Sequence, residues 1–199
     1  MIKEIIQTKA KAKFASVVAT RRYLHQHPEL SYHEVETGKF IAAALNKLNI
    51  PHTHGIAENG VVAIIEGRNP QKKTIALRAD FDALPITEKN EVEYKSLNNG
   101  VMHACGHDAH TASLLGAAEI LFELRDAFEG TIKLIFQPAE ERTPGGASIM
   151  IAEGVLENPS PEIIIGQHVH PPLEAGKVGL KSGVYMASSD ELFMTIHGK

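Results

Sequence analysis

Residues 109–124 read AHTASLLGAAEILFEL and residues 131–136 read TIKLIF, and the contrast between these two neighbours decides the fold. The first run is apolar on most sides at helical spacing, as a helix packed on a sheet must be. The second is short, apolar and rich in isoleucine, which reads as a strand. Working outward, Val61-Val62-Ala63-Ile64-Ile65 and Thr74-Ile75-Ala76-Leu77 are β-branched runs separated by Gly67-Arg68-Asn69-Pro70, which predicts two neighbouring strands joined as a hairpin. Nearer the N-terminus, apolar residues recur at helical spacing from Ile5 to Leu24 and stop at His27-Pro28, where proline disfavours helix in the residue before it. A second helix is predicted from about Glu34 to Leu48, on the face Phe40, Ile41, Ala44, Leu45, Leu48. Downstream come a Gly-opened helix around Ala147–Glu153, a buried-type strand Ile163-Ile164-Ile165, and a segment Asp190–Ile196 that alternates like a strand. Strands alternating with helices predict an α/β sandwich.

A chain of 199 residues is long enough to bury a core without disulfides or a structural metal. Its 43% hydrophobic and 22% charged content is that of a folded globular protein. The formal charge of −4 supplies no basic face to hold a phosphate backbone, so nucleic acid is excluded as an expected partner. No apolar run approaches the roughly 20 residues of a membrane span, and the N-terminal MIKEIIQTKAKAKFASVV lacks a signal peptide's apolar core. The expectation is a cytoplasmic protein with no membrane partner. A single cysteine, Cys105, excludes an internal disulfide and leaves three roles for that thiol: buried filler, ligand or nucleophile.

Four polar clusters interrupt the apolar scaffold, each just after a predicted strand or just before a helix, where α/β sheets place their ligands. They are Arg78-Ala79-Asp80-Phe81-Asp82, His103-Ala104-Cys105-Gly106-His107-Asp108, Gln137-Pro138-Ala139-Glu140-Glu141 and Gln167-His168-Val169-His170. Together they supply thiolate, imidazole and carboxylate, the donors that suit zinc-like or manganese-like ions. Cys105 and His107 lie two residues apart before a helix, with Gly106 free to turn tightly between them and Asp108 placed to cap the helix. A cysteine nucleophile with His107 as base is the rival reading, in an awkward i, i+2 geometry. Glu140 and Glu141 leave a strand in different directions, so one can bind a metal while the other works on the metal's water. His168 should emerge at the same sheet edge, with His170 as its competitor. Asp80, Asp82 and Asp108 are placed to orient a ligand imidazole, and Arg78 to pair with Asp80 and Asp82 instead. Loop Glu88–Gly100 is a candidate border of a substrate pocket.

HPELS, RADFDALPI, MHACGHDAHT, FQPAEE and GQHVHP occur in that order between His27 and Pro171. The set resembles the metal-dependent aminoacylase and carboxypeptidase superfamily, in its hippurate hydrolase, N-acyl-amino-acid deacetylase and auxin-conjugate hydrolase branch. The resemblance implies an α/β three-layer sandwich with a mixed central sheet, a zinc-exopeptidase-like catalytic domain that is incomplete here, with two divalent ions, manganese or zinc with cobalt or nickel as alternatives. It implies Cys105, His107, Glu141 and His168 as ligands, Glu140 as general base, and small-molecule N-acyl amino acids as substrates. Residues 1–187 then form the N-terminal part of the metal-binding domain, and 188–199 begin a lid and dimerisation domain. Members of the branch are about twice as long as this chain, and the full-length form is expected to be a homo-oligomer. A chain ending at Lys199 is expected to be a catalytically inactive metal-binding fragment.

Overall fold

The centre of the protein is a five-stranded sheet in the order β1-β2-β4-β3-β5, formed by β1 (His52–Ile56), β2 (Gly60–Glu66), β3 (Thr74–Asp80), β4 (Thr131–Gln137) and β5 (Ile163–Gly166). The computed structural model describes residues 2–185, 192 and 194–198. β1 pairs antiparallel with β2 and β2 antiparallel with β4, whereas β4, β3 and β5 run parallel. The sheet is therefore mixed, as expected. Among the described residues four α-helices accompany it: α1 (Ile2–Gln26), α2 (Val35–Lys47), α3 (His107–Glu123) and α4 (Gly146–Ala152).

Period-two alternation separates the two faces of the sheet. Leu134 and Phe136 of β4, with Val61, Ala63 and Ile65 of β2, enter one core, where Ile41 and Leu45 of α2 and Leu114, Leu115 and Ala118 of α3 meet them. Ile135 and Ala76 point to the other face and pack with Met150 of α4 and Val155. Burying a residue such as Leu134 or Ile65 is worth about 1.5–3 kcal/mol, so this alternation is what specifies the strand register. α1 packs outside α3, where Val17 reaches so close to Gly116 that an added Cβ would lie 2.6 Å from its Cγ2.

Several expectations are corrected. The hairpin predicted between 61–65 and 74–77 does not form, because β4 lies between those strands and pairs with both. The hairpin partner of β2 is β1, whose sequence HTHGI carries too little apolar alternation to announce a strand. Ile163–Ile165 form a strand, but an exposed one at 46–53%, since β5 is the sheet's edge and pairs only with β3. Ile5, Ile6 and Phe14 of α1 are likewise exposed. In the predicted strand Asp190–Ile196, residues 190, 191 and 193 lie outside the described residues, and the others carry no regular structure. The chain divides into two compact units, Met1–Val169 and His170–Lys199, and the described part of the second contains no helix or strand. Among the described residues no helix is long and apolar enough to cross a membrane.

A buried knot of charge ties α1 to the first turn of α3. His25, near the end of α1, donates from Nδ1 to Asp108 at 2.7 Å and from Nε2 to Glu88 at 3.1 Å. Arg21 reaches the same Asp108 oxygen at 2.7 Å, and the Ser96 N–H donates to Glu88 at 2.6 Å. Asp108 is thus engaged with α1 rather than capping α3; the cap position belongs to Gly106, with no side-chain cap bond. The hydrogen bond to Asp108, reinforced by Glu88 and opposed by burial, raises the His25 pKa above its ordinary 6.5. A raised folded pKa adds stability that is complete below 6.5 and fades as pH climbs through the folded value. His25→Gln should therefore cost roughly 3 kcal/mol in urea unfolding with chelator present at acid pH. The gap to wild type should narrow as pH rises above 6.5; a gap independent of pH there would show that His25 is neutral.

Candidate metal centre

The parallel strands β3, β4 and β5 end at one edge of the sheet, the position at which open α/β sheets bind ligands. Asp80 closes β3, Gln137 closes β4 opposite it, and His168 follows β5 by two residues. α3 begins at His107 on the same side, because Gly106 adopts φ +88° and turns Cys105 and His107 toward a common point.

Asp82 organises the site. One carboxylate oxygen accepts from His107 Nδ1 at 3.1 Å, and the other from the Ser31 hydroxyl at 2.7 Å and the Glu141 N–H at 2.9 Å. A carboxylate only accepts, so His107 carries its proton on Nδ1 and, in the neutral ring, presents a lone pair at Nε2. That Nε2 is buried without a hydrogen-bond partner, and so is Glu141 Oε1, 3.7 Å away. Glu140 Oε2 stands 3.9 Å from the same nitrogen. On the other side, Cys105 Sγ lies 3.3 Å from His168 Nε2, while His168 Nδ1 donates to the Val169 carbonyl at 2.7 Å. Three sets of donor atoms each fall within 4.8 Å of one another: Cys105, His107 and His168; His107, Glu140 and Glu141; and Asp80, His107 and His110. All three share His107.

His110 escaped the sequence reading, although its i+3 spacing from His107 on one helix face was a usable signal. Its Nδ1 donates to Asp80 at 2.6 Å and its Nε2 accepts the Val169 N–H at 2.9 Å, so both nitrogens are spent on structure. Asp80 thus holds His110 and Arg78, the latter at 2.6 Å, and stays 3.6 Å from His107. Asp108 faces Arg21 and His25 and makes no bond to His107 among those described. His103 is buried with neither ring nitrogen bonded, and that burial pushes its pKa down to about 4. His170 belongs to the second unit.

The electrostatics are those of an acidic pocket. Burial, then the hydrogen bond to Glu141 and the charges of Glu141, Glu140 and Asp80, push the Cys105 thiol up to about 12. Shielding from water and the charge of Glu141 raise the Glu140 carboxyl, whose side chain remains 42% exposed. Burial works against the charge on Asp80, but the His110 hydrogen bond and Arg78 hold its carboxyl below the ordinary range. Burial also opposes charge on His107, yet the bond to Asp82 and the nearby Asp80 raise its pKa. The donor set fits a divalent ion. Buried lone pairs without partners are costly, and a cation among them would satisfy His107 Nε2 and Glu141 Oε1 and stabilise the thiolate that carboxylates now oppose.

Residues 76–192 match the model of peptidase family M20/M25/M40, and the chain belongs to that family. It is 44% identical over 199 residues to an N-acyl-L-amino acid amidohydrolase of Geobacillus stearothermophilus, covering all of this chain and 53% of the relative. The crystal structure of a Bacillus subtilis dinuclear metal-binding peptidase of the M20 family superposes with TM-score 0.81 at 44% identity, over 87% of this chain and 48% of that one. A protein from methicillin-resistant Staphylococcus aureus superposes with TM-score 0.83 at 47% identity, over 89% of this chain and 44% of that one. The chain spans about half the length of the curated relatives it matches.

Gly106 carries a sharp test of this local geometry. A Cβ there would lie 2.3 Å from Val169 Cγ2, on a backbone at φ +88° that side chains avoid. Gly106→Ala should cost about 1–3 kcal/mol of stability in urea with chelator present. Trimming the obstacle with Val169→Ala should recover the steric part and leave the backbone part. Full stability of the single variant would show that the turn between Cys105 and His107 is not held as described.

Proposed function

We propose that this chain is the metal-bearing part of an enzyme that hydrolyses the amide bond of N-acyl amino acids. The carrying observation is the pair of buried, unpartnered atoms His107 Nε2 and Glu141 Oε1, 3.7 Å apart beside Cys105 and His168. In this reading Cys105, His107, Glu141 and His168 hold two divalent ions, manganese or zinc with cobalt or nickel as alternatives. The Geobacillus N-acyl-L-amino acid amidohydrolase and the dinuclear metal-binding peptidase of Bacillus subtilis support the substrate class and the ion count. When bound, such ions supply Lewis acidity for an acyl carbonyl and lower the pKa of water. Asp82 keeps the His107 proton on Nδ1 and so keeps Nε2 available for coordination. Glu140 takes the proton of the attacking water and delivers it to the departing nitrogen; its raised pKa brings it closer to the range that suits a base near neutral pH.

The rest of the reading follows the same family. Residues 188–199 open a lid and dimerisation domain, the whole protein is a homo-oligomer, and the single thiol of these 199 residues suits the reducing cytoplasm. A cysteine nucleophile is the second reading, which the Cys105–His168 contact favours. A thiol pushed up to about 12 by burial and carboxylates is poorly prepared for that role.

Elemental analysis of protein purified without chelator tests the proposal. About one to two equivalents of transition metal should accompany the wild type, as a partly or fully filled pair of ions requires. Cys105→Ser, Glu141→Ala and His168→Ala should each lose metal, and a wild type that cannot be loaded would refute the centre. Glu140→Gln should retain metal. In a chain extended to the length of its relatives, it should lower hydrolysis of N-acetyl-methionine or hippurate by about 100- to 10,000-fold. Metal loss in Glu140→Gln would mean that the two glutamates exchange roles. Because the thiol must shed its proton to ligate, metal affinity should rise with pH. Calorimetry in buffers of different ionisation enthalpy should register proton release, and its absence would remove Cys105 from the ligand set.

A further inference from the structure

Glu34 occupies the residue before α2, the place from which a side chain ordinarily caps a helix, yet its side chain makes no cap bond. Glu29 performs that service instead, accepting the N–H groups of Glu36 at 3.2 Å and Thr37 at 2.7 Å. Glu34 is fully buried, which for a carboxyl group is unfavourable unless it is bonded. Its Oε1 accepts the Ala139 N–H at 2.7 Å and its Oε2 the Asn59 side-chain amide at 3.2 Å. Ala139 has φ +49°, a left-handed conformation that an alanine rarely adopts, and it immediately precedes Glu140 and Glu141. Its carbonyl is held as well, by the Gly146 N–H at 2.8 Å. Neighbours of Glu34 grip the same turn: the Tyr32 hydroxyl donates to the Arg142 carbonyl at 3.1 Å and accepts the Gly145 N–H at 3.0 Å.

We propose that Glu34 is a positioning residue for the metal centre: its buried carboxylate holds the Ala139 peptide in the left-handed conformation and so aims Glu140 and Glu141 at His107. Without that grip the residue relaxes to an ordinary backbone conformation, and both glutamates swing with it. Gln at position 34 still offers an oxygen to Ala139, and the Asn59 amide can turn over to accept from the new nitrogen. The conservative variant therefore preserves the geometry that Ala destroys.

The inference rests on the metal-centre reading for its consequence, though not for its geometry, and two measurements separate them. Hydrogen exchange in the metal-free chain reads the turn 137–146 directly. Glu34→Ala and Tyr32→Phe should each speed exchange there by about tenfold or more while β2 and β4 stay protected, with Glu34→Gln within about threefold of wild type. Unchanged exchange in Glu34→Ala overturns the proposal; should that variant open throughout, Tyr32→Phe decides, and an unchanged turn there overturns it equally. Cobalt(II) titration, followed by its absorption, reads the consequence. Glu34→Ala should weaken cobalt binding as much as Glu141→Ala does, and the double variant should be no weaker than either. Additive losses would mean that Glu34 acts elsewhere than through Glu141. Equal cobalt affinity in wild type and Glu141→Ala would refute the metal centre while leaving the exchange result to judge the positioning role.

Discussion

Three segments far apart in the chain meet on the carboxylate of Asp82: the Ser31 hydroxyl, the His107 imidazole and the Glu141 peptide N–H. A buried charge tolerates few arrangements, because each unbonded lone pair is expensive once water is gone. Three donors converging on one buried group therefore act as a common origin for coordinates. The loop before α2, the first residue of α3 and the turn after β4 are all measured from it. The parallel strands bring these segments to one edge, but strands alone place a backbone to within a side chain's length. Asp82 supplies the finer adjustment, and with it the proton position that leaves His107 Nε2 bare.

Charge balance extends the same argument outward. Asp80, Asp82, Glu140 and Glu141 crowd around His107, and against them stand Arg78 and the imidazoles. Arg78 is spent on Asp80 and Gln137, and His110 on Asp80 and Val169. What is left is a small acidic space with a sulfur and two imidazole nitrogens on its wall, whose thiol is held protonated by its neighbours. Such a space favours a cation over a proton only if several donors can contribute together, and the shared position of His107 in all three donor sets makes that sharing geometrically available.

The four polar clusters were legible in the sequence because three follow an apolar run whose period betrays a strand and the fourth, His103–Asp108, opens an apolar helix, and strand ends and helix starts gather at sheet edges. The alternation of helix and strand was legible for the same reason: Leu134 and Phe136 face one core and Ile135 the other. Pairing order was not, since the separation of Ile65 from Thr74 by a turn says nothing of the later strand that inserts between them. Burial of Ile163–Ile165 was misjudged because composition reports how apolar a strand is and not whether it stands at an edge. The role assigned to Asp108 as a cap fell to a contact with a helix some 80 positions upstream, at His25, which local spacing cannot disclose. The bracket of buried Ser31 and Glu34 with half-buried Tyr32 was equally hidden: a polar loop reads as solvated until the fold turns it inward.

The exposed strand β5 has a consequence for the physical behaviour of the chain. Among the described residues, Ile163-Ile164-Ile165 pair along one side only, with β3, and their side chains are 46–53% exposed, with no lysine, proline or bulge within the three residues to blunt the margin. A strand of that kind is a template on which any extended apolar segment can add itself, and identical copies are the commonest such segment in a concentrated solution. Within the described sheet β5 is therefore the margin at which a further extended segment, from the same chain or another copy, would add with least disturbance of the strands already paired.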